Sequence, residues 1–206
     1  MPSPTGEIAG LILAGGASRR MGRGHKFLLE LGGETMLDRT VARLSPQVAR
    51  LAISANCDPA LLGGTRLPVL ADPPPAPRGP LSGLAAGLEW AAAQNFSRVV
   101  TAASDTPFFP EDLVSRLCAA ASSADAVVLA TSNGRVHPVF GLWPVSVAPM
   151  LGRFLREDAG SRMMDFVERC EWTSVDFPCP EGFDPFFNVN TNAEFAEAER
   201  RIGGKM

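Results

Sequence analysis

No apolar run in the chain approaches the roughly 20 residues that cross a bilayer as a helix, so a membrane-embedded protein is not expected. The opening residues, Met1 to Glu7, lack the basic stretch that begins a secretory signal, and export is not expected either. The four cysteines, Cys57, Cys118, Cys170 and Cys179, never fall into CxxC spacing, which favours reduced thiols over a zinc site or a disulfide framework. Positive charge is not in excess: 19 Lys and Arg against 22 Asp and Glu leave a net charge of −3, unlike a protein that coats nucleic acid. There is no Walker loop, no GxGxxG turn, no evident nucleophile–base arrangement of His or Cys, and no internal repeat. With these classes set aside, 206 residues, 46% of them hydrophobic, suit one compact cytoplasmic domain, 1–206, with a full apolar core.

What the chain does have is alternation. Gly10 to Ala14 is a short apolar run ended by Gly15-Gly16, a buried strand feeding a turn. Thr35 caps a helix with Leu37, Val41, Leu44 and Val48 on one face. Strands are predicted at Leu51–Ser54 and Leu67–Ala71, then a proline-rich loop (Pro73, Pro74, Pro75, Pro77, Pro80). A helix carrying Leu81, Leu84, Leu88 and Ala92 follows, and then the apolar strand Arg98–Ser104. Pro110 is expected in the first turn of a helix with Leu113, Leu117 and Ala121. Ala126–Ala130 and Val136–Leu142 read as strands around the turn Asn133-Gly134. Helices at Val147–Leu155 and Met163–Val167, a strand at Trp172–Phe177, and a final helix with a Thr191/Glu194 capping box complete the order. Such alternation implies right-handed crossovers and a mostly parallel sheet, with a hairpin or antiparallel strand added after Val127. In such sheets ligands sit beyond the carboxyl ends of strands. Three polar segments follow strand-like runs: Gly15 to Lys26, Asp105 to Pro107, and Asn188 to Thr191.

The first of these is locally basic, with Arg19, Arg20, Arg23 and Lys26 and no carboxylate among them. Glycines after a strand let backbone N–H groups approach an anion, and the cations add charge. A small anionic ligand suits such a loop on a mildly acidic protein better than a polymer does. Taken alone, the stretch is also compatible with a solvated turn bearing surface arginines.

Leu13 to Lys26 reads LAGGxxxRMGxxxK and resembles the opening signature of the molybdenum cofactor guanylyltransferase family. Gly79-Pro80-Leu81-Ser82-Gly83 with Gly87-Leu88 is similar to that family's GPLxGxxxGL segment, Asp105-Thr106-Pro107-Phe108 to its DxPF segment, and Asn188-Val189-Asn190-Thr191 to its NxNTP segment. The four segments, in family order, cover the chain nearly end to end. The resemblance implies a Rossmann-like three-layer αβα sandwich of the nucleotide-diphospho-sugar transferase type. Its N-terminal part would bind nucleotide and its C-terminal part the acceptor. It also implies an Mg²⁺-dependent enzyme that transfers GMP from GTP to the phosphate of molybdopterin, or its molybdenum-loaded form, with release of pyrophosphate. Protein partners would be cofactor-biosynthesis proteins and apo-molybdoenzymes.

Site residues follow from the same resemblance. Leu13, Ala14, Gly15 and Gly16 would contact the nucleotide through backbone, with Ser54, Gly79 and Gly83 along it. Arg20 and Lys26 would hold the triphosphate, since phosphoryl-type transfer rests on positioning and electrostatics. Asp105 would ligate Mg²⁺, a hard cation suited to carboxylate and phosphate oxygen; a turn ahead of Pro107 is the alternative. Asp72 matches the carboxylate that recognises guanine by accepting from N1–H and the N2 amine, an Asp-Pro turn being the alternative. Asn188 and Asn190 would lie near metal and acceptor, and alternation puts them on one side of an extended segment; Asx-turns leading into the Thr191 cap are the alternative. Gly160 and Arg162 resemble a stretch near the acceptor, and His137-Pro138 a segment facing it, although a lone His is more often structural.

Three positions depart from the pattern: His25 stands where Asp usually precedes the lysine, Ser54 where Asn is common, and Asn192 where Pro is usual. Two alternatives stay open. One is a cytidylyltransferase acting on the same or another phosphorylated acceptor, although Gly15-Gly16 favours guanine, since related cytidine enzymes carry Ala-Gly. The other is a non-catalytic adaptor that binds nucleotide and delivers cofactor.

Overall fold

A computed structural model of the chain describes residues 8–15, 25–62, 64–72, 79–157 and 162–204. At its centre β1 (Ile8–Leu13) is buried at every position. The strand alternates. Ile8 and Ile12 face one apolar cluster with Leu37, Leu44, Leu113 and Leu117, while Ala9, Leu11 and Leu13 face another with Leu81, Leu84, Leu88, Leu151 and Phe154. The first cluster lies under α1 (Met36–Leu44) and α3 (Leu113–Ala119); the second lies under α2 (Pro80–Ala93), α4 (Ala148–Arg156) and α5 (Met163–Val167). A strand buried on both faces needs a helix layer on each side, and that gives the three-layer sandwich.

Beside β1 run β4 (Arg50–Ser54) and β6 (Arg98–Ala103), both parallel to it, with β5 (Val69–Leu70) parallel to β4. β7 (Val127–Ser132) and β8 (Arg135–Pro144) form a hairpin whose second strand runs antiparallel to both β7 and β6, and β9 (Trp172–Asp176) pairs parallel to β7. The order is β5-β4-β1-β6-β8-β7-β9. Both residues of the hairpin turn have positive φ, Asn133 at 48° and Gly134 at 72°, the left-handed pair that joins two twisted strands.

Helix termini follow local chemistry. Thr35 Oγ1 accepts from the Asp38 N–H at 3.0 Å and starts α1. The run expected to continue to Val48 ends at Leu44; a 3₁₀ turn with Pro46 near its start takes over at Ser45–Gln47. Pro110 does not lie in the first turn of α3. It precedes the helix in a turn where its carbonyl accepts from Leu113 N–H at 3.2 Å. At the start of α2 Gly79 is the N-cap, Pro80 follows, and Ser82 is buried inside the first turn. The Thr191/Glu194 capping box opens α6 (Asn192–Gly203) as expected. A small hairpin of β2 (Glu30–Leu31) and β3 (Glu34–Thr35), turning on Gly32 and Gly33, has no counterpart in the expectations. Among the described residues no helix is long and apolar enough to cross a membrane.

Candidate active site

Where β1, β4 and β6 end, the main chain opens a cavity of about 500 Å³. It is lined by Leu13, Ala14 and Gly15 after β1, Ser54 to Cys57 after β4, and Asp72 after β5, with Gly79, Pro80 and Gly83 from the start of α2 and Asp105 after β6. His25, Ala103, Val139 and Asn188 complete the wall. Nine residues expected from sequence therefore meet here: Leu13, Ala14, Gly15, Ser54, Asp72, Gly79, Gly83, Asp105 and Asn188. Gly16 and Arg20, like Arg19, Arg23, Gly160 and the prolines at 73–75 and 77, lie outside the described residues.

Gly83 in α2 and Gly79 at its N-cap are held for different reasons. A Cβ on Gly83 would sit 2.5 Å from Ser54 Oγ and 2.8 Å from Leu13 Cδ2, so a bare backbone lets the helix close on the sheet. Gly79 has open space around a Cβ but a φ of +63°, a conformation L side chains rarely adopt.

At the cavity mouth Lys26 carries the densest polar contacts. Its Nζ donates to Asp105 Oδ2 at 2.7 Å, Asn188 Oδ1 at 3.3 Å and Asn190 Oδ1 at 2.5 Å. Three acceptors match the three protons of an ammonium. The Lys26 side chain is 13% exposed and that of Asp105 23%, so the pair is screened from bulk water while still reachable from the cavity. The asparagine segment is brought there by its backbone: Val189 N–H donates to Asp105 O at 2.9 Å, and Glu194 Oε2 accepts from Asn190 and Thr191 N–H at 2.7 and 2.8 Å. The asparagines thus reach one cation from the same side of an extended segment, while the helix cap behind them fixes their backbone.

The backbone at Asp72 is positioned by Asn56, a residue that the sequence did not single out. Asn56 Oδ1 accepts from the Asp72 backbone N–H at 3.0 Å, and Ser54 Oγ lies 3.5 Å from Asp72 Oδ1, a weak contact at most. The signal was there: Ser54 and Asn56 share the period of an extended strand end. His25 packs its ring 5.2 Å from that of Phe27, which is buried in the core and anchors the chain just after Lys26.

A second cavity of about 290 Å³ shares Ala103, Val139 and Asn188 with the first. Its other walls are Thr106, Arg135 to Pro138 and Phe140 of β8, and Asp184, Phe186, Phe187, Asn190 and Glu194 from the C-terminal segment. Behind it Ser132 Oγ donates to Asp184 Oδ1 at 2.7 Å and lies 2.7 Å from His137 Nε2. Phe186 N–H also donates to Asp184 Oδ1 at 2.9 Å, and the Phe186 ring stacks on His137 at 4.6 Å. Burial pushes the His137 imidazole below its ordinary pKa; Asp184 opposes that shift and Arg135 reinforces it. Arg162 lines neither cavity. It stands exposed before α5, its N–H on Asp165 Oδ2 at 3.2 Å.

All four cysteines are free thiols. Cys57, on the wall of the larger cavity, is raised in pKa by burial and by Asp58, Cys118 is raised by burial, and Cys170 is pushed up to about 11 by burial. Such thiols are poor nucleophiles.

The model of the MobA-like NTP transferase domain matches residues 10–171. The chain belongs to that family. Within it, a molybdenum cofactor guanylyltransferase of Mesorhizobium japonicum is 48% identical over 200 residues, covering 95% of this chain and 96% of that one. Another, of Cereibacter sphaeroides, is 48% identical over 193 residues, covering 94% and 96%. The molybdopterin-guanine dinucleotide biosynthesis protein A of Archaeoglobus fulgidus superposes with a TM-score of 0.71 at 22% identity over 96% of this chain and all of the other. At that identity the likeness speaks for the fold, and the α/β sandwich above is the one these MobA-like transferases share.

Proposed function

We propose that the chain transfers GMP from GTP to the terminal phosphate of molybdopterin, or of its molybdenum-loaded form, and releases pyrophosphate. The observation that carries this reading is the convergence of Lys26, Asp105, Asn188 and Asn190 at the junction of two cavities that share a wall. Near full-length relatives named as guanylyltransferases support it.

In this reading the larger cavity takes GTP. The Asp72 carboxylate accepts from guanine N1–H and the 2-amino group, a donor pair that adenine and cytosine do not present together. Backbone at Leu13 to Gly16, with Ser54, Gly79 and Gly83, lies along the nucleotide. The smaller cavity takes the acceptor, with Asn188 and Asn190 between the two. An oxygen of the acceptor phosphate attacks the α-phosphorus in line; the bond from that phosphorus to the bridging oxygen breaks, and pyrophosphate leaves with the electron pair. A phosphate nucleophile is already ionised near neutral pH, so no strong base is needed. Lys26, with Arg20 earlier in the sequence, offsets charge on the phosphates.

Asp105 is the residue to hold Mg²⁺. Its carboxylate borders the larger cavity; Oδ2 and the two carboxamide oxygens accept from Lys26, and Oδ1 is the oxygen that would meet a hard cation. Among the described residues no group of three or more His, Cys, Asp or Glu gathers to hold a metal, which fits an ion bound by one or two carboxylates together with substrate phosphates. When bound, the ion supplies charge neutralisation on the phosphates. Free thiols at all four cysteines and GTP as donor support action in the cytoplasm.

The test is transfer of α-labelled GMP onto molybdopterin by wild type and Asp105→Ala, with Mg²⁺ present, and with CTP as competitor donor. Transfer from GTP, and its fall by about a hundredfold or more in the variant, is expected. Preference for CTP would overturn the guanine assignment, equal rates would remove Asp105 from the metal role, and GTP binding without pyrophosphate release would mark a delivery protein.

A further inference from the structure

The buried polar chain behind the smaller cavity has a direction. An ionised carboxylate only accepts, so the Ser132 hydroxyl proton, aimed at Asp184 Oδ1 at 2.7 Å, is committed to Asp184. The contact of 2.7 Å between Ser132 Oγ and His137 Nε2 therefore has Nε2–H as donor and the hydroxyl oxygen as acceptor. Asp184 is itself held by Phe186 N–H at 2.9 Å, and the imidazole is stacked on the Phe186 ring at 4.6 Å, so the chain has little freedom to reverse. Burial favours the neutral ring. A neutral ring with its proton on Nε2 carries a lone pair on Nδ1. Among the described residues Nδ1 has no protein partner, and no buried side-chain nitrogen or oxygen is left without one. His137 lines the cavity at 8% exposure, so the opening belongs to that lone pair.

This is not a hydrolytic triad. In that arrangement the carboxylate holds Nδ1–H and leaves Nε2 as base; here serine and carboxylate both lie on the Nε2 side, and Asp184 Oδ2 is 3.9 Å from Nε2. Fixing one tautomer makes Nδ1 a directed, neutral hydrogen-bond acceptor on a wall that also carries Thr106, Arg135, Asp184, Glu194, two asparagines and aromatic rings.

We propose that His137 is a specificity-determining residue for the acceptor substrate: Nδ1 accepts from a ring N–H or amino N–H of the acceptor's heterocycle, and Ser132 and Asp184 are positioning residues that hold the tautomer. The assignment rests on the smaller cavity being the acceptor subsite. It gives that subsite a chemical preference, for a heterocycle with an N–H donor edge such as the pyrimidine ring of a pterin. A ring that is only an acceptor at that edge leaves Nδ1 facing a lone pair.

Amide variants separate a recognition role from a structural one. An Asn amide reaches about as far as Nδ1, whereas a Gln amide reaches about as far as Nε2. His137→Asn thus keeps a group able to accept at the cavity and drops the Ser132 contact; His137→Gln keeps that contact and drops the cavity acceptor. Binding of molybdopterin, followed by the fluorescence of its pterin, is expected to stay within about threefold of wild type in His137→Asn and to weaken about tenfold in His137→Gln. Ser132→Ala, which frees the imidazole to change tautomer, is expected to weaken it as well, and GTP affinity stays unchanged in all three. The reverse ranking of the amide variants, equal losses in both, or a matching loss of GTP affinity would overturn the proposal. Should wild type bind molybdopterin with this ranking yet transfer no GMP, the transfer reaction falls and the recognition stands; transfer without the ranking removes His137 alone.

Discussion

The larger cavity is walled by main chain and small side chains at strand ends, the smaller one by Arg135, His137, Asp184 and three phenylalanines. A wall of backbone and glycine holds a ligand through fixed N–H and C=O groups, and its shape depends on how closely helix and sheet approach. A wall of long side chains holds its ligand through rotamers, which stay in place only when tied from behind, as Asp184 is by Ser132 Oγ–H and Phe186 N–H. The first kind tolerates few residue types at its glycines; the second tolerates change wherever the supporting hydrogen bonds survive.

Lys26 belongs to neither wall but to their junction, so its loss is the largest effect expected. Lys26→Met is predicted to lower kcat/KM about a hundredfold or more, in initial-rate assays varying GTP and acceptor in turn, with kcat carrying most of the loss. An effect confined to the KM of one substrate would place the lysine in one cavity alone.

The same contrast explains what was legible in the sequence. Backbone recognition demands Gly15, Gly79 and Gly83 at fixed offsets from strand ends, and those offsets survive as a readable pattern. Asp105 and the Asn188–Asn190 pair could be named as candidates because they follow strand-like runs. Their meeting on one ammonium is a tertiary fact, set by the Val189–Asp105 backbone bond across 84 positions of chain (189 − 105). Of the Ser132–His137–Asp184 chain only His137 was singled out, by resemblance, and its two partners were not. The chain joins a hairpin to a segment about fifty residues later through side chains alone, and a lone histidine gives no periodic or spacing signal. The same holds for Asn56 behind Asp72. Arg162 shows the opposite case, a residue singled out by resemblance whose place in the fold is the exposed start of α5.

Gly83 tests the backbone wall. Gly83→Val forces side-chain atoms into Ser54 and Leu13, and a loss of about 2 kcal/mol in urea unfolding is expected from overpacking, together with a raised KM for GTP. Unchanged stability would mean that the helix can shift away from the sheet at no cost, and that close packing does not shape this cavity.

Asp72→Ala is smaller and more selective. Discrimination between GTP and ATP is expected to fall by about tenfold or more in competition assays, with acceptor KM unaltered. If the acceptor KM moved with it, the division of labour between the cavities would fail.

The smallest effect concerns pH. The folded His137 pKa is lowered from 6.5, so below pH 6.5 the unfolded chain takes up a proton that the folded one refuses. This contribution to stability is fully present above pH 6.5 and is lost as pH falls from there through the folded value. Urea midpoints of wild type are therefore expected to drop more steeply than those of His137→Asn over that window. Parallel curves would show that the imidazole titrates alike in both states.

The most direct test of two cavities meeting at one cation is simultaneous occupancy. Calorimetric titration of molybdopterin into the protein, alone and saturated with α,β-methylene GTP, whose bridge cannot be cleaved, measures it without turnover. One molybdopterin per chain with the nucleotide already bound, and an affinity changed by no more than a few-fold, is the predicted result. Displacement of the nucleotide by molybdopterin would mean that the two compete for a single site.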